Sequence, residues 1–312
     1  MTAIHLGIDV GGTASRWVAC NDAGIIVARG STSGATGHLF NPAEKDRLKL
    51  SLANIGHNLL AQDLVPKTVT TGLTGFGSVV ANTLLDLLGD AYAVSRADCI
   101  TVDDMTLAYA SIFAPGEGHL ISSGTGSIGL HIGHGDTYVR VGGRGILIDD
   151  AGSGSWIALK ALDTLFRHLD HNGSIDGVSI LADELSKMLG GIDWHVVREF
   201  VYGGDRGRIG TLSTAVGKAA DRGDPTAASI LEDAGRELVR MAEALTNRVG
   251  PKPVGFIGGV LMLSRIRPAI EAALPGKDLR FPQTDAALAA AQMQTGQKED
   301  WLAVLKNNRG LK

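Results

Sequence analysis

Cysteine is scarce in this sequence, since Cys20 and Cys99 are the only two among 312 residues. They form no CxxC pair, which argues against a disulfide framework, a cysteine zinc site or an iron–sulfur cluster held within one chain. The nine histidines show no HExxH or other paired spacing, which argues against a metal site built on histidine. The chemistry of this chain must therefore be sought in other residue types.

An excess of charge of one sign is also missing. The net charge is −4 and no run of Lys or Arg stands out, so the chain has no electrostatic footprint for nucleic acid. No apolar stretch reaches the roughly 20 residues that a membrane helix needs. The strand-like run from Ile4 to Ile8 begins without the basic and apolar regions of a signal peptide. These features favour a cytoplasmic protein with no nucleic-acid or membrane partner.

Two common catalytic motifs are absent. The sequence has no GxxxxGK[ST], which excludes a P-loop as the source of nucleotide binding, and no GxSxG nucleophile elbow. Glycine, by contrast, is abundant: its 42 residues cluster in short motifs rather than in low-complexity stretches. At roughly 100–200 residues per domain, the length suggests two domains.

A weak internal repeat supports two domains of related topology. A strand, a glycine turn and a returning strand occupy residues 4–20, and the same succession recurs at 119–132, about 110 residues later. We therefore expect one domain over 1–115 and a second over 116–312. Residues after 155 have mainly helical patterns, followed by a strand at 254–257 and helices at 261–273 and 284–296.

Each half opens on a turn suited to phosphate. The first glycine turn consists of Gly11, Gly12 and Thr13, and the second glycine turn of Gly124, Thr125 and Gly126. Glycine brings backbone N–H groups close to a phosphate without a side chain in the way, and the threonine hydroxyl can also donate. An ordinary hairpin explains either turn alone, but two such turns are typical of a nucleotide held by two lobes. Asp9, before the first turn, is suited to a hydrated Mg²⁺.

Three further positions carry candidate chemistry. Asp103 and Asp104 stand between a strand and a helix, where an aspartate is either a helix cap or a general base. Asp150 precedes a glycine–serine turn that leads into a helix. Ser153 or Ser155 can cap this helix, and an aspartate before such a turn can accept hydrogen bonds from sugar hydroxyls. Gly258 and Gly259 follow a strand, so they form either a tight turn or a bare backbone surface for adenine or ribose.

Taken together, these motifs resemble the N-acetylglucosamine kinase-like branch of the acetate and sugar kinase/actin superfamily, the BadF/BadG/BcrA/BcrD ATPase family. The resemblance runs nearly end to end and is strongest over residues 121–159. It implies an α/β, two-domain actin-like ATPase (ribonuclease H-like) fold with an interdomain cleft. It also implies ATP and Mg²⁺ as cofactors, a small-molecule sugar as substrate and a homodimer.

The resemblance also assigns roles. Asp104 falls at the position of the catalytic base, with Asp103 as the alternative, and Asp9 at that of the metal-orienting aspartate. The two glycine turns match the phosphate motifs, and Gly258 and Gly259 the adenosine motif. The residues implied to line the sugar pocket are Thr74, Gly75, Asp104, Thr125 and Asp150. The implied activity is ATP-dependent phosphorylation of an amino sugar, N-acetylglucosamine or glucosamine, to a 6-phosphate.

The sequence departs from the family pattern on the sugar side. A sugar-binding Asn is lacking in the stretch 34–37, Arg144 replaces a common Trp, and Ala151 replaces a Glu. Arg144 is compatible either with an anionic substrate or with an outward-facing surface position. A kinase for another sugar or sugar acid, an ATPase that activates a dehydratase, and a non-catalytic nucleotide sensor are the alternatives. The first glycine turn, the second and Asp104 are intact, which favours a kinase.

Overall fold

A computed structural model describes residues 1–204 and 206–307 of the protein. The chain divides into two compact units. The first unit contains Met1–Glu117, Ile132–Tyr138 and the described residues from Gln283 onward. The second unit contains Gly118–His131 and Val139–Pro282. The chain thus builds most of the first unit, then the second, and returns to the first.

Five strands form the sheet of the first unit: β1 (Thr2–Val10), β2 (Ala14–Cys20), β3 (Ile26–Ser33), β4 (Leu64–Leu73) and β5 (Cys99–Asp103). Their order across the sheet is β3-β2-β1-β4-β5. Strand β2 is antiparallel to both β1 and β3, as a meander requires, whereas β4 pairs parallel with both β1 and β5. The carboxyl ends of β1, β4 and β5 therefore lie along one edge.

Five more strands form a second sheet: β6 (His119–Ser123), β7 (Ser127–Ile132), β8 (Tyr138–Gly142), β9 (Val254–Ile257) and β10 (Leu279–Arg280). Their order is β8-β7-β6-β9-β10, which repeats the order of the first sheet. Here too β6 and β7 are antiparallel, and β9 is parallel to β6 and β10. The internal repeat predicted from the sequence is confirmed by this common topology.

Twelve α-helices occur in the described residues. They are α1 (Pro42–Leu60), α2 (Ser78–Tyr92), α3 (Asp104–Ile112), α4 (Gly154–Asn172), α5 (Ser179–Leu189), α6 (Trp194–Tyr202), α7 (Arg206–Thr211), α8 (Ser213–Asp221), α9 (Pro225–Val249), α10 (Ile266–Ala273), α11 (Ala286–Gln292) and α12 (Glu299–Asn307). A 3₁₀ turn, Gly259–Met262, replaces the start of the helix predicted from residue 261. Within the described part of the chain, no helix combines the length and the apolar character needed to cross a membrane.

Helix α1 illustrates how local sequence builds the first core. Asn41 caps the helix by accepting a hydrogen bond from the Ala43 N–H, and Pro42 occupies the first helical position, where its missing N–H costs nothing. Leu48, Leu52, Ile55 and Leu59 follow at helical spacing, and all four are buried. These leucines and the isoleucine pack into the cluster formed with β1 and β4.

The sequence-based division assigned 116–312 to one domain. In the structure, the described residues from Gln283 onward belong to the first unit. In the structure α11 packs against β1 of the first unit. A Cβ built on Gly7 would lie 2.1 Å from the Ala287 carbonyl oxygen and 2.2 Å from the Ala291 nitrogen. The helix backbone therefore lies directly on the strand, which only a glycine opposite an alanine-rich helix permits. The local sequence pattern did not predict this close approach.

Candidate active site

The first unit gathers its candidate residues at the carboxyl edge of three neighbouring parallel strands. Asp9 lies next to last in β1 and is in register with Gly72 of β4. Asp103 ends β5 and is in register with Leu73, the last residue of β4. In open α/β sheets, ligands bind outside the carboxyl ends of such strands. The topology therefore brings Asp9, the residues after Leu73 and the Asp103–Asp104 pair to one edge.

The two adjacent aspartates have different partners. Asp103 caps α3, since its Oδ1 accepts from the Thr106 N–H at 2.9 Å and its Oδ2 from the Thr106 hydroxyl at 2.5 Å. Burial raises the pKa of Asp103, while these hydrogen bonds oppose the rise. Asp104 instead accepts the Thr74 hydroxyl on Oδ2 at 2.6 Å. The helix-capping role thus belongs to Asp103, which leaves Asp104 as the candidate base.

Asp9 lies in an environment that disfavours its charge. Its pKa is raised to about 6, chiefly by burial and then by the negative charge of Asp104, whereas Arg16 acts in the opposite direction. A site that holds carboxylates close together in this way is suited to a cation. No group of three or more metal-ligating residues occurs among the residues that the structure describes. Mg²⁺ needs only one or two carboxylates because it retains most of its waters, so the donor set fits this ion.

The first glycine turn is supported by the stretch 34–37, which we call the connecting loop. The turn itself is closed by the Gly11 N–H, which donates to the Ala14 carbonyl at 3.1 Å. The Gly34 N–H donates to the Thr13 carbonyl at 3.2 Å, and the Ala35 N–H to the Gly11 carbonyl at 3.1 Å. The turn is therefore held by backbone hydrogen bonds on one side, while Gly12 and Thr13 stay exposed.

The connecting loop also explains why the family's asparagine is missing. The Gly37 N–H donates to the Thr74 carbonyl at 2.8 Å. A Cβ at Gly37 would lie 2.4 Å from the carbonyl oxygen of Gly75, a backbone atom that cannot swing away. A side chain as large as asparagine does not fit at position 37 in this arrangement. The departure seen in the sequence is thus tied to the close packing of the loop on Thr74 and Gly75.

Two residues of α1 contact the first glycine turn and the connecting loop, and the sequence did not predict them. Glu44 Oε2 accepts from both the N–H and the hydroxyl of Thr36, at 3.1 and 2.8 Å. Arg47 Nη1 donates to Glu44 Oε1 at 2.6 Å, and its Nη2 donates to the carbonyls of Gly12 and Gly34, at 3.4 and 3.1 Å. The sequence did contain a signal for these contacts. Glu44 and Arg47 are three residues apart in the first turns of a helix, and this helix follows a glycine-containing stretch.

The second unit brings its glycine motifs together by the same topology. Ser122 of β6 is in register with Ile257 of β9, so the second glycine turn and the pair Gly258 and Gly259 leave the same edge. Gly258 has a φ of +109°, and a Cβ there would lie 2.1 Å from the Ser123 carbonyl oxygen. Only glycine permits this approach.

Open space remains on the ligand side of these motifs. A Cβ added at Gly124 or at Gly259 would meet no atom within 4 Å. The start of α4 fixes the turn from behind, because the Gly154 N–H donates to the Gly124 carbonyl at 2.8 Å and the Ser155 N–H to the Thr125 carbonyl at 3.3 Å. A rigid backbone with free space beside it fits the phosphate and adenosine roles predicted for these glycines.

The Asp150 carboxylate of the second unit has an unusual environment. The residue is 2% exposed, and Oδ1 accepts the Gly145 N–H at 3.2 Å. Its Oδ2 is buried without a hydrogen-bond partner, and a Cβ on Gly126 would lie 2.9 Å from it. A buried carboxylate oxygen without a donor is costly, so this atom is poised for a ligand that brings one.

The other two departures from the family pattern have plain structural settings. The Arg144 side chain is 62% exposed, and its Nη1 lies 3.5 Å from Asp149 Oδ2. It is therefore a surface residue with an acidic partner, which favours the outward-facing alternative. The Ala151 carbonyl accepts the Ser127 hydroxyl at 2.7 Å, so the residue contributes its backbone to the second turn.

Thirteen predicted site residues fall into two sets, one in each unit. The set of the first unit is Asp9, Gly11, Gly12, Thr13, Thr74, Gly75 and Asp104; that of the second is Gly124, Thr125, Gly126, Asp150, Gly258 and Gly259. Within each set, the topology and the contacts above bring the residues to one sheet edge.

Comparison with solved structures identifies the fold. The chain is similar to a candidate N-acetylglucosamine kinase from Chromobacterium violaceum, with 22% identity and a TM-score of 0.69, over 92% of this chain and 96% of that one. A second candidate N-acetylglucosamine kinase, from Porphyromonas gingivalis, has 19% identity and a TM-score of 0.71, over 94% of this chain and 99% of that one. The predicted two-domain, actin-like α/β fold is confirmed.

Sequence comparison adds the family. The chain is 30% identical over 148 residues to an N-acetylmuramic acid/N-acetylglucosamine kinase of Clostridium acetobutylicum. This match spans about half of each protein, 47% of this chain and 47% of the relative. The sequence profile of one family matches residues 6–292, which is most of the chain. On that basis the protein belongs to the BadF/BadG/BcrA/BcrD ATPase family.

Proposed function

We propose that the protein is an ATP-dependent kinase that phosphorylates a hydroxyl group of an amino sugar, N-acetylglucosamine or glucosamine, to give the 6-phosphate. The observation that carries the proposal is the Asp104 carboxylate. It is held by the Thr74 hydroxyl at 2.6 Å, at the edge where three parallel strands end, in the same unit as the first glycine turn. A carboxylate so placed can accept the proton of an attacking hydroxyl. The kinase names of the relatives support the same reaction.

The nucleotide is assigned to the two glycine turns and to Gly258 and Gly259. Backbone N–H groups of the turns would contact the phosphates, and the bare surface at Gly259 would accept the adenosine. The open space at Gly124 and Gly259 supports this assignment, because a ligand that lies against backbone needs such space.

Asp9 would hold the hydrated Mg²⁺. The ion, when bound, neutralises phosphate charge and orients the nucleotide. The raised pKa of Asp9 supports this role, since a nearby cation favours the ionised carboxylate that burial disfavours.

The acceptor sugar is assigned to Thr74, Gly75, Asp104, Thr125 and Asp150. The unpartnered Oδ2 of Asp150 supports its part in the assignment, because a sugar hydroxyl would supply the missing donor. Asp150 is 2% exposed, so this contact requires the surroundings of the carboxylate to move. Such a movement would make the pocket form around the sugar.

The reaction is a direct transfer. Asp104 accepts the proton as the sugar oxygen forms a bond to the γ-phosphorus, and the bond from that phosphorus to the bridging oxygen of ADP breaks. Positioning and electrostatics supply most of the rate, and the base contributes about 10²–10⁴-fold.

The dehydratase-activator alternative needs two thiols that reach a cluster shared between subunits. Cys20 and Cys99 are 0% and 4% exposed. They lie on β2 and β5, three strand spacings or about 14 Å apart, which does not support that role. The homodimer and the cytoplasmic location stay predictions of the sequence.

A coupled assay of ADP release tests the proposal. Purified protein is given ATP, Mg²⁺ and in turn amino sugars, neutral sugars and sugar acids. We expect the highest kcat/KM with an amino sugar, and ³¹P NMR of the product then identifies the phosphorylated hydroxyl. ADP release that no sugar increases would indicate an ATPase, and nucleotide binding without turnover a sensor. The absorption spectrum of anaerobically purified protein tests separately for an iron–sulfur cluster.

A further inference from the structure

We propose that Glu44 and Arg47 are positioning residues, which link the first glycine turn to Asp104 through the connecting loop. The proposal rests on the proposed kinase function and deepens it, because it names how the nucleotide and acceptor sides of the first unit are coupled. Neither side chain belongs to the motifs that the family resemblance assigned. Both lie on α1, outside the strand ends that form the site.

The first link joins α1 to the nucleotide side. Arg47 Nη2 donates to the carbonyl of Gly12 at 3.4 Å and to that of Gly34 at 3.1 Å. One guanidinium nitrogen thus bridges the first glycine turn and the connecting loop. Lysine is not equivalent here, because the planar guanidinium has several donors in a fixed geometry and lysine has one mobile ammonium.

The second link orients that guanidinium. Arg47 Nη1 donates to Glu44 Oε1 at 2.6 Å, and Glu44 Oε2 accepts both donors of Thr36 at 3.1 and 2.8 Å. The Glu44 side chain is 17% exposed and the Arg47 side chain 51%, so the carboxylate is shielded from solvent while the guanidinium is half-exposed. The carboxylate uses both oxygens, one for the arginine and one for the loop.

The third link reaches the acceptor side. The Gly37 N–H at the end of the connecting loop donates to the Thr74 carbonyl at 2.8 Å, and the Thr74 hydroxyl donates to Asp104 at 2.6 Å. The backbone at Gly37 lies so close to Gly75 that a Cβ would not fit. The loop therefore has little room to shift. Hydrogen bonds therefore connect Gly12 with the Asp104 carboxylate, and the backbone from Thr36 to Gly37 and the residue Thr74 join them to one another.

The consequence is a coupling between ligands. A phosphate bound to the first glycine turn would order the Gly12 carbonyl, and thereby the connecting loop, Thr74 and Asp104. Binding of nucleotide would then increase acceptor affinity, and the acceptor would increase nucleotide affinity by the same factor. We expect a factor in the usual range of about 5–150.

Calorimetric titration measures this factor. A non-hydrolysable ATP analogue with Mg²⁺ and N-acetylglucosamine are each titrated with and without the other, in the wild type and in Arg47→Ala, Arg47→Lys and Glu44→Gln. We expect the coupling factor to be several-fold smaller in Arg47→Ala, where only the backbone hydrogen bonds between turn and loop remain, and to be partly restored in Arg47→Lys. In kinetics at saturating ATP, kcat should fall about 10–100-fold because the base is displaced, and the KM for the acceptor should rise because nucleotide increases its affinity less.

The matched control lies on the same helix. Lys49 Nζ is 3.9 Å from Asp46 Oδ1, also at a spacing of three residues, and the two side chains are 53% and 76% exposed. Lys49→Ala should leave both the coupling factor and kcat unchanged. Equal losses in Lys49→Ala and Arg47→Ala would mean a general effect on α1 and would overturn the proposal. Unchanged coupling and kcat in folded Arg47→Ala and Glu44→Gln would overturn it as well.

Hydrogen exchange separates this proposal from the kinase assignment, because it needs no ligand. We expect the Gly37 amide to exchange about 10-fold faster in Arg47→Ala than in Lys49→Ala, since the loop loses its tie to α1. Equal rates would overturn the link while leaving the kinase assignment intact. Faster exchange together with no phosphorylation of any sugar would sustain the link and overturn the kinase assignment.

Discussion

The two sheets share one strand order, but the residues at the carboxyl ends of their parallel strands differ in charge. In the first unit these positions carry Asp9, Asp103 and Asp104. In the second they carry two glycine motifs, with the carboxylate of Asp150 buried beside them. The common topology brings these residues to one edge of each sheet, and the two edges differ in the chemistry that they offer.

The difference has an electrostatic meaning. Burial and, after it, the negative charge of Asp104 raise the pKa of Asp9 to about 6. Such an edge suits proton acceptance and a cation. The second unit instead offers backbone close to open space, which suits phosphates and a flat ring. The predictions below test this contrast, from the largest effect to the smallest.

Loss of the Asp104 charge should have the largest effect. We expect Asp104→Asn to reduce kcat about 10²–10⁴-fold while the affinity for an ATP analogue is kept, because the amide cannot accept the proton. Asp103→Asn is the control, since it retains the side-chain oxygen that caps α3. It should keep most of the turnover. Near wild-type turnover in Asp104→Asn, or a greater loss in Asp103→Asn, would contradict the assignment.

Alanine substitutions at the neighbouring Gly258 and Gly259 should affect different quantities, the first the stability of the fold and the second nucleotide binding. Gly258→Ala places a methyl group 2.1 Å from the Ser123 carbonyl at a φ of +109°, and should destabilise the protein by about 3 kcal/mol or more. Gly259→Ala meets no atom within 4 Å, so its free energy of unfolding should change by less than about 0.5 kcal/mol. Only its affinity for the ATP analogue should fall. Urea denaturation and calorimetry measure the two quantities, and unaltered nucleotide affinity in Gly259→Ala would remove this surface from the site.

Asp9 should make the stability of the ligand-free protein depend on pH. Its folded pKa of about 6 lies above the unfolded value of 3.8, so the folded state binds more protons between these values and loses stability as the pH rises. Asp9→Asn should therefore increase the free energy of unfolding by about 1–3 kcal/mol at pH 8, and by almost nothing near pH 4. Urea denaturation without divalent cations measures this difference. A gain that does not vary with pH would contradict the interpretation.

Arg144 should have the smallest effect. Because its side chain is 62% exposed and pairs with Asp149, Arg144→Ala should change the free energy of unfolding by about 0–1 kcal/mol. The KM for the acceptor should be unchanged. A large increase in KM confined to anionic sugars would place the guanidinium at the substrate instead.

Local sequence patterns predicted the elements that carry the site. The strand–glycine–strand openings, the capping position at Asp103 and the helical spacing of Leu48 to Leu59 all follow from short-range rules. The two-residue strand β10 and the short helix α7 have too few residues to show a period. Helix α12 was not predicted either.

Contacts between distant segments were the part that sequence alone did not reveal. The exclusion of a side chain at Gly37 depends on Gly75, which is far away in the chain, and Arg47 reaches a carbonyl 35 residues before it. The assignment of α11 to the first unit likewise depends on its fit against Gly7. Such contacts are properties of packing, and no local pattern encodes them.

The packing of α11 on Gly7 has a consequence for synthesis. A ribosome releases β1 first, but the helix that covers this strand follows more than 270 residues later, after the whole second unit. Until α11 has been synthesised, one face of β1 in the first unit stays uncovered, although all strands of the second unit have already been synthesised. Vectorial folding should finish the second unit before the first, and the exposed face of β1 is where a chaperone would find the unfinished chain.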